Sequence, residues 1–514
     1  MLKPFLIILY PLFLFALGYL NYSKAGLFAL NALFIISILW QLKLKFKNSF
    51  INYLFLFALF FIIAFMQFHS ILRDIFGVVQ DDFMVINSIV NTDINESLEF
   101  FNQYKIYLLK HIAIALIAFF IYYYLFFKQQ SKAKYSKKAL TIFLILFIVS
   151  QLNPTTRRNN PFVYFPYYYK KYKQELATTQ EYLNKFKQNI NSKKIDAKYI
   201  GDKNSTLIWV IGESNTKKDW SLYGYKRDTN AFLKRYKDKI YLFKNIYAAA
   251  PITIPAFKLM LTKANRQNRN WLKSIDILTL AKAAGYKTFW ISNHTTDKRG
   301  IINIFAKNSD EFIMTNRGDS RNEGSYDESV LTPLKKALKD KASKKLIIVH
   351  LLEAHPAYHF RYPKSFAHFS KDEVYKDLAK KRSFWALFFR NSYDNAIYYS
   401  DYVKSQILKM AIDSNKDGSI SLLYHPDHGE DVLFHSNYAG HNKKAIEQWQ
   451  IPMFLYSPKL KLNKEILKRK YQLDKVDNMV LNLLKIDSKY YDAKSDILSN
   501  SYKEKVSLPK DLLQ

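Results

Sequence analysis

Residues 4–20, 25–42, 51–68, 112–127 and 139–152 form five charge-free runs rich in Phe, Leu, Ile and Ala. No other feature narrows the fold so far. Hydrocarbon offers no partner for backbone polar groups, and a run of roughly 17–25 apolar residues satisfies its own as a spanning helix. The fifth run is the shortest and needs its flanking residues to complete a crossing. The first does not read as a removable leader, because Lys3 is its only nearby basic residue, no A-x-A-like site follows, and four more apolar runs do.

Loop charge sets the orientation. Lys43, Lys45 and Lys47 follow the second run, and Lys128, Lys132, Lys134, Lys137 and Lys138 separate the fourth from the fifth, so these loops are expected in the cytoplasm. The loop between the third and fourth runs carries Asp74, Asp81, Asp82, Asp93, Glu96 and Glu99 and is expected outside. Five crossings then put everything after Leu152 on the outer face, the periplasm of a bacterium with two membranes.

With 514 residues the chain exceeds one domain. The expected division is a five-helix transmembrane domain (1–152), a periplasmic linker with interfacial helices (153–204) and a catalytic domain (205–514). The linker stretch PFVYFPYYYKKYK interleaves tyrosines with Lys170, Lys171 and Lys173, a composition suited to lipid headgroups. A net charge of +34 fits nucleic acid or anionic lipid as partner. Scattered lysines beside membrane segments favour lipid and no nucleic acid. The absence of cysteine excludes disulfides, thiol catalysis and thiolate metal ligands.

From residue 205 onward, strand-like runs alternate with helical stretches. TLIWVIGES, KTFWISN, KKLIIVHLLEAH and SISLLYHPDHGE each read as a buried strand ending in polar residues, with helices expected over 274–284 and 329–342. The expectation is an α/β domain on a mostly parallel sheet, whose carboxyl edge collects Glu213, Asn293, His355, Asp427 and His428. A carboxylate beside an imidazole supplies ligands of the kind zinc takes, although ligand type also admits manganese. Glu213 ends an apolar strand, where a carboxylate is costly unless paired or metal-bound. It could also cap the following helix. Thr253 precedes an apolar run of helical spacing, so it reads either as an N-cap or as a hydroxyl placed where a helix N-terminus stabilises phosphate. Of eight histidines between His350 and His441, His355 and His441 are the better functional candidates, with His435 a rival to His441 and His350 read as a core residue.

In order, IGESNTKKDWSLYGYKRDT, PITIPAFKLMLT, HPAYHFRYP, SYDNAIYYSDYVKSQI, HPDHGE and QIPMFLYSP resemble the membrane-anchored phosphoethanolamine transferases that modify bacterial surface glycolipids. The resemblance implies five amino-terminal helices and a periplasmic domain of alkaline phosphatase/sulfatase-like fold, in the inner membrane. It implies zinc at Glu213, Thr253, Asp427 and His428, with Thr253 the nucleophile that becomes phosphoethanolamine-modified. It implies that His355, His441 and the 293–298 segment, with Asn293, His294 and Lys298, contact the phosphate or a second metal. The implied donor is phosphatidylethanolamine; the acceptor is lipid A, another surface glycan or a protein. Many relatives hold this domain together with disulfides, which this chain lacks. Sulfatases use a modified Cys or Ser in C/S-x-P-x-R, whereas Thr253-x-Pro255 is followed here by Ala256, Phe257 and Lys258. Two alternatives are a phosphoglycerol transferase acting on surface glycans and a membrane sensor or scaffold without catalysis.

Overall fold

The structure, a computed structural model, describes residues 3–76, 85–86, 89–90, 94–129, 131–191, 195–201, 203–294, 301–316, 326–510 and 512. Two compact units emerge, one of Met1–Val90 with Phe100–Glu175, the other of Asn91–Glu99 with Leu176–Gln514.

All five apolar runs are helical within the first unit. They form α1 (Leu9–Ala16, preceded by a 3-10 turn), α2 (Tyr22–Phe46), α3 (Ser49–Phe76), α4 (Ile94–Tyr123) and α5 (Lys137–Leu152). Among the described residues, three helical stretches are long and apolar enough to cross a membrane, namely Tyr22–Phe46, Ser49–Ile75 and Tyr104–Lys128. The expected five-helix transmembrane domain is therefore met in its apolar helices, of which three among the described residues have the length for spanning. Leu14, Phe28, Ala32, Leu59, Ile62 and Met66 form the core of this unit. Among its buried polar groups, His111 Nδ1 pairs with Gln67 Oε1 at 2.8 Å. The expected linker is mostly one helix, α6 (Pro161–Asn191).

The second unit is built on an eight-stranded sheet. Its strands are β1 (Ser205–Gly212), β2 (Tyr241–Tyr247), β3 (Lys287–Ser292), β4 (Glu311–Met314), β5 (Lys344–His350), β6 (Ile420–Pro426), β7 (Gln450–Tyr456) and β8 (Lys470–Gln472). They lie in the order β8-β2-β7-β6-β1-β5-β3-β4. Five neighbours, β6-β1-β5-β3-β4, run parallel, and β7 is antiparallel to both β6 and β2. The four strands read from sequence are the four central parallel ones. Every residue of β1 is buried, because helices cover both faces: Leu207, Trp209 and Ile211 enter one core, and Ile208 and Val210 enter the other. α7 (Thr253–Met260) packs in the first of these cores and α8 (Phe384–Ser414) in the second. The two expected helices are present but shorter, at Ile277–Ala283 and Leu331–Lys339. Asp276 caps the first of them by accepting from Thr279 N–H at 2.9 Å.

Candidate active site

The polar residues that follow the parallel strands meet because the strands are neighbours. Gly212 of β1 pairs with Pro426 of β6, so the next residues, Glu213 and Asp427, leave the sheet side by side. On the other flank, β5 is followed by Glu353 and His355, and β3 by Asn293 and His294.

Thr253 is the first residue of α7. The N-cap position belongs to Ile252, which makes no side-chain cap bond. The Thr253 hydroxyl is therefore directed at other side chains: Oγ1 lies 3.3 and 3.2 Å from the Glu213 carboxylate oxygens and 3.2 Å from His428 Nε2. His428 Nε2 is in turn 3.2 Å from Glu213 Oε1 and 3.5 Å from Asp427 Oδ2. The other imidazole nitrogen, Nδ1, lies 2.8 Å from Gly429 O, so a proton held there leaves Nε2 as the lone-pair side facing the carboxylates. Glu213, Asp427 and His428 are all fully buried.

Their electrostatics follow from that crowding. Burial alone would raise the Glu213 carboxyl, but His428 and His294 hold it well below the usual range. Burial and the Glu213 charge push Asp427 well above its ordinary value. Burial disfavours a charged His428, yet Asp427 and Glu213 raise it to about 10. The cluster thus draws positive charge to its centre. Asp427 Oδ2 and His294 Nε2 are buried and lack hydrogen-bond partners among the described residues, with His294 Nε2 3.4 Å from Glu213 Oε2. Glu213, Asp427 and His428 each offer a ligand atom, all within 4.8 Å of one another. Oxygen and nitrogen donors in this number, with one orphaned carboxylate oxygen among them, fit a divalent metal such as zinc.

The remaining candidates divide. His441 belongs to the cluster: its ring is 4.8 Å from that of His428, and its Nδ1 lies 2.8 Å from Glu430 Oε2. The rival His435 instead contacts Glu447 Oε2 at 2.8 Å. The His355 ring lies 5.4 Å from that of His294, and its Nδ1 lacks a partner among the described residues. Asn293 is turned away from the cluster, donating to Asp327 Oδ1 at 2.9 Å and accepting from Thr315 and Ser329 at 3.0 Å each. Lys298 lies outside the described residues.

Sequence reasoning passed over three groups. His350, read as core, is buried but stacks on His294 with ring centroids 4.4 Å apart. Glu430 was legible as the last letter of DHGE yet had no role until His441 and the Tyr358 hydroxyl, at 3.1 Å, were seen to contact it. Glu353 followed an apolar strand as Glu213 does, and that shared context was the available signal.

A mostly parallel α/β sheet whose carboxyl edge gathers two carboxylates, an imidazole and a hydroxyl at a helix start has the arrangement of an α/β enzyme's active site. The chain belongs to the sulfatase family, whose model matches residues 205–486, more than half of its length. It is 36% identical over 240 residues to the phosphoethanolamine transferase EptC of Escherichia coli K12, a match covering 45% of this chain and 41% of that protein. Against the phosphoethanolamine transferase EptA of Helicobacter pylori it is 29% identical over 259 residues, covering 49% of this chain and 48% of the relative. The chain thus spans less than half the length of these curated relatives. Among solved structures, the C-terminal periplasmic domain of Escherichia coli EptC in complex with Zn superposes with a TM-score of 0.57 at 30% identity, covering 60% of this chain and 91% of the other. The integral membrane lipooligosaccharide phosphoethanolamine transferase A of Neisseria meningitidis shares the fold across 97% of this chain and 96% of its own, with a TM-score of 0.64 at 19% identity.

Proposed function

We propose that this protein transfers phosphoethanolamine from phosphatidylethanolamine to a surface acceptor such as lipid A, through a covalent intermediate on Thr253. The observation that carries the reading is the Thr253 hydroxyl, not used as a cap, within 3.3 Å of both Glu213 and His428 at the start of α7. The relatives named as phosphoethanolamine transferases supply the group transferred. The helices of the first unit support an inner-membrane location with the catalytic unit in the periplasm, beside both lipid substrates.

Glu213, Asp427, His428 and Thr253 would hold the zinc. Bound there, zinc supplies a lowered pKa for the hydroxyl and a positive charge beside the phosphate. The chain's own groups do the rest. The Glu213 carboxylate accepts the hydroxyl proton as Thr253 Oγ1 attacks phosphorus. The bond from phosphorus to the diacylglycerol oxygen breaks, and that oxygen takes up the proton given to Glu213 and leaves as diacylglycerol. The dipole of α7 favours the negative charge of the phosphate at its N-terminus. His294, His355 and His441 line the same cluster and are the groups available to orient those oxygens. In the second half-reaction an acceptor hydroxyl oxygen attacks the same phosphorus, the bond from phosphorus to Thr253 Oγ1 breaks, and the acceptor's proton passes by way of Glu213 to Thr253 Oγ1, restoring the hydroxyl.

Incubating the purified protein with phosphatidylethanolamine alone tests this reading. A phosphoethanolamine mass is expected on the peptide containing Thr253, with one diacylglycerol released per modified chain. Thr253→Ala should remain folded and give neither product, whereas Thr253→Ser keeps a hydroxyl and some activity. Modification at another residue, or transfer by Thr253→Ala, overturns the assignment. Mass spectra of lipid A with and without the gene identify the acceptor, and the nitrogen of ethanolamine distinguishes the group from phosphoglycerol.

A further inference from the structure

Glu353 is a buried carboxylate for which the proposed reaction has no use. It stands between β5 and His355 with a backbone φ of 36°, in the left-handed region that a side chain disfavours. Every hydrogen bond to its carboxylate comes from a donor on a different part of the fold. Oε2 accepts from the Glu213 backbone N–H at 3.2 Å, from Asn215 Nδ2 at 3.3 Å and from the Tyr424 hydroxyl at 3.0 Å. Oε1 accepts from Ser400 Oγ at 2.7 Å and Lys404 Nζ at 2.8 Å, both on α8, and from the Tyr424 hydroxyl, shared between the two oxygens, at 3.1 Å. Lys404 is itself buried, its ammonium 5.0 Å from the Trp220 ring centroid and 4.7 Å from that of Tyr424.

The contact with β1 is closer still. A Cβ on Gly212 would fall 2.1 Å from Glu353 Oε2, so the end of the strand that delivers Glu213 rests directly on this carboxylate, and a side chain there would displace it. On its other side Glu353 is pinned by Asp327, which accepts from the backbone N–H groups of Leu352 at 2.9 Å and Glu353 at 2.8 Å. A buried ion pair adds little to stability over apolar packing of the same volume, so its contribution is better sought in geometry. That geometry ends at the backbone of Glu213.

We propose that Glu353, neutralised by Lys404, is a positioning residue that sets the direction in which Glu213 presents its carboxylate to the metal. The inference rests on the metal reading of the cluster. Because donors approach both carboxylate oxygens, a carboxamide at this position must turn its NH2 against one set of them. Glu353→Gln therefore releases either the Glu213 N–H with Asn215 or the Lys404 ammonium with Ser400.

The test uses the full chain in detergent with zinc alone as the probe. Zinc affinity is measured by competition with a chromophoric chelator, and thermal unfolding is followed with and without zinc. Glu353→Gln is expected to weaken zinc binding by about 10- to 100-fold, the usual effect of removing a partner that orients a ligand, and to shrink the rise in Tm that zinc produces. Zinc affinity within about threefold of the wild type, with metal-free and zinc-loaded protein destabilised equally, would show a purely structural role and overturn the proposal. If Glu353→Gln does not accumulate as folded protein, Glu353→Leu/Lys404→Met removes the acceptor and the buried charge together and carries the same expectation. Loss of zinc affinity in the variant supports the inference even if the wild type transfers some other group. A wild type with no affinity for zinc overturns it together with the metal reading.

Discussion

Gly429→Ala isolates the close approach on which His428 depends. Gly429 does not have a positive φ, so alanine meets no conformational penalty of the left-handed kind there. The obstacle is steric: a Cβ would sit 2.0 Å from Glu447 O, 3.1 Å from Glu447 C and 3.3 Å from Gln448 C, all backbone atoms. Ordinary contact requires the two segments to separate by more than 1 Å, and the Gly429 N–H to Gln448 O bond of 3.0 Å lies in the path of that movement. Overpacking of this kind costs about 1–3 kcal/mol. The absence of any flexible side chain to yield places the expectation at the upper end, about 3 kcal/mol. Separation also carries Gly429 O away from His428 Nδ1, loosening the ring that offers Nε2 to the metal, so zinc affinity should fall by about tenfold or more. Urea denaturation at fixed zinc, with chelator competition for affinity, measures both. Gly224→Ala is the control, because Gly224 has φ of 101° but no atom within 4 Å of its added Cβ, and should cost about 1 kcal/mol through conformation alone. A Gly429→Ala variant no less stable than Gly224→Ala, with unchanged zinc affinity, would refute the steric argument.

Asp427→Asn should lose most bound zinc in a metal assay of the purified protein, and full occupancy would remove Asp427 from the ligands. A second expectation concerns pH. Burial pushes the Asp401 carboxyl up to about 6, against the pull of Lys404 and of donors from Asn230, Leu233 and Phe232. Because the folded value exceeds the unfolded one of about 3.9, the native state binds this proton more tightly, and its contribution to stability declines as pH rises from about 4 to 6. The difference in unfolding free energy between wild type and Asp401→Asn should therefore drop by about 2 kcal/mol between pH 4 and 7; a difference that stays level would contradict the burial argument. A reporter active only outside the cytoplasm, fused after Leu152, should be active, and activity of a cytoplasm-only reporter there would reverse the orientation.

Much of the architecture was legible because it is written in local pattern. The charge-free runs of the first 152 residues specify helices by composition alone, and all five are helical; how many reach across a bilayer depends on lengths that α1 and α5 do not attain. Four apolar stretches with polar ends specify four buried strands. β2, β4, β7 and β8 were not anticipated, and β7 runs against its neighbours, because pairing partners and direction are set between segments far apart in sequence. The candidate site divides in the same way. Asp427 and His428 are adjacent in the chain, so their chemistry could be read directly. Glu213 meets them because β1 and β6 are in register, and Thr253 meets them because α7 begins beside both strand ends. Local sequence could not tell an N-cap threonine from one whose hydroxyl faces a carboxylate; only the placement of Ile252 at the cap did. Gly429 is adjacent to the metal motif in sequence, but that it leaves room for the Glu447 carbonyl is decided only by the fold. Asn293 read as a candidate contact for the substrate, and its side chain is spent on Asp327. Glu353 was indistinguishable by pattern from Glu213, since both are carboxylates after apolar strands; the fold gives one an ammonium and four other donors, and the other two hydroxyls and two imidazoles. Periodicity and composition act over a few residues and determine the elements, whereas the roles of the side chains depend on contacts made across hundreds of residues, which exist only once the sheet has formed.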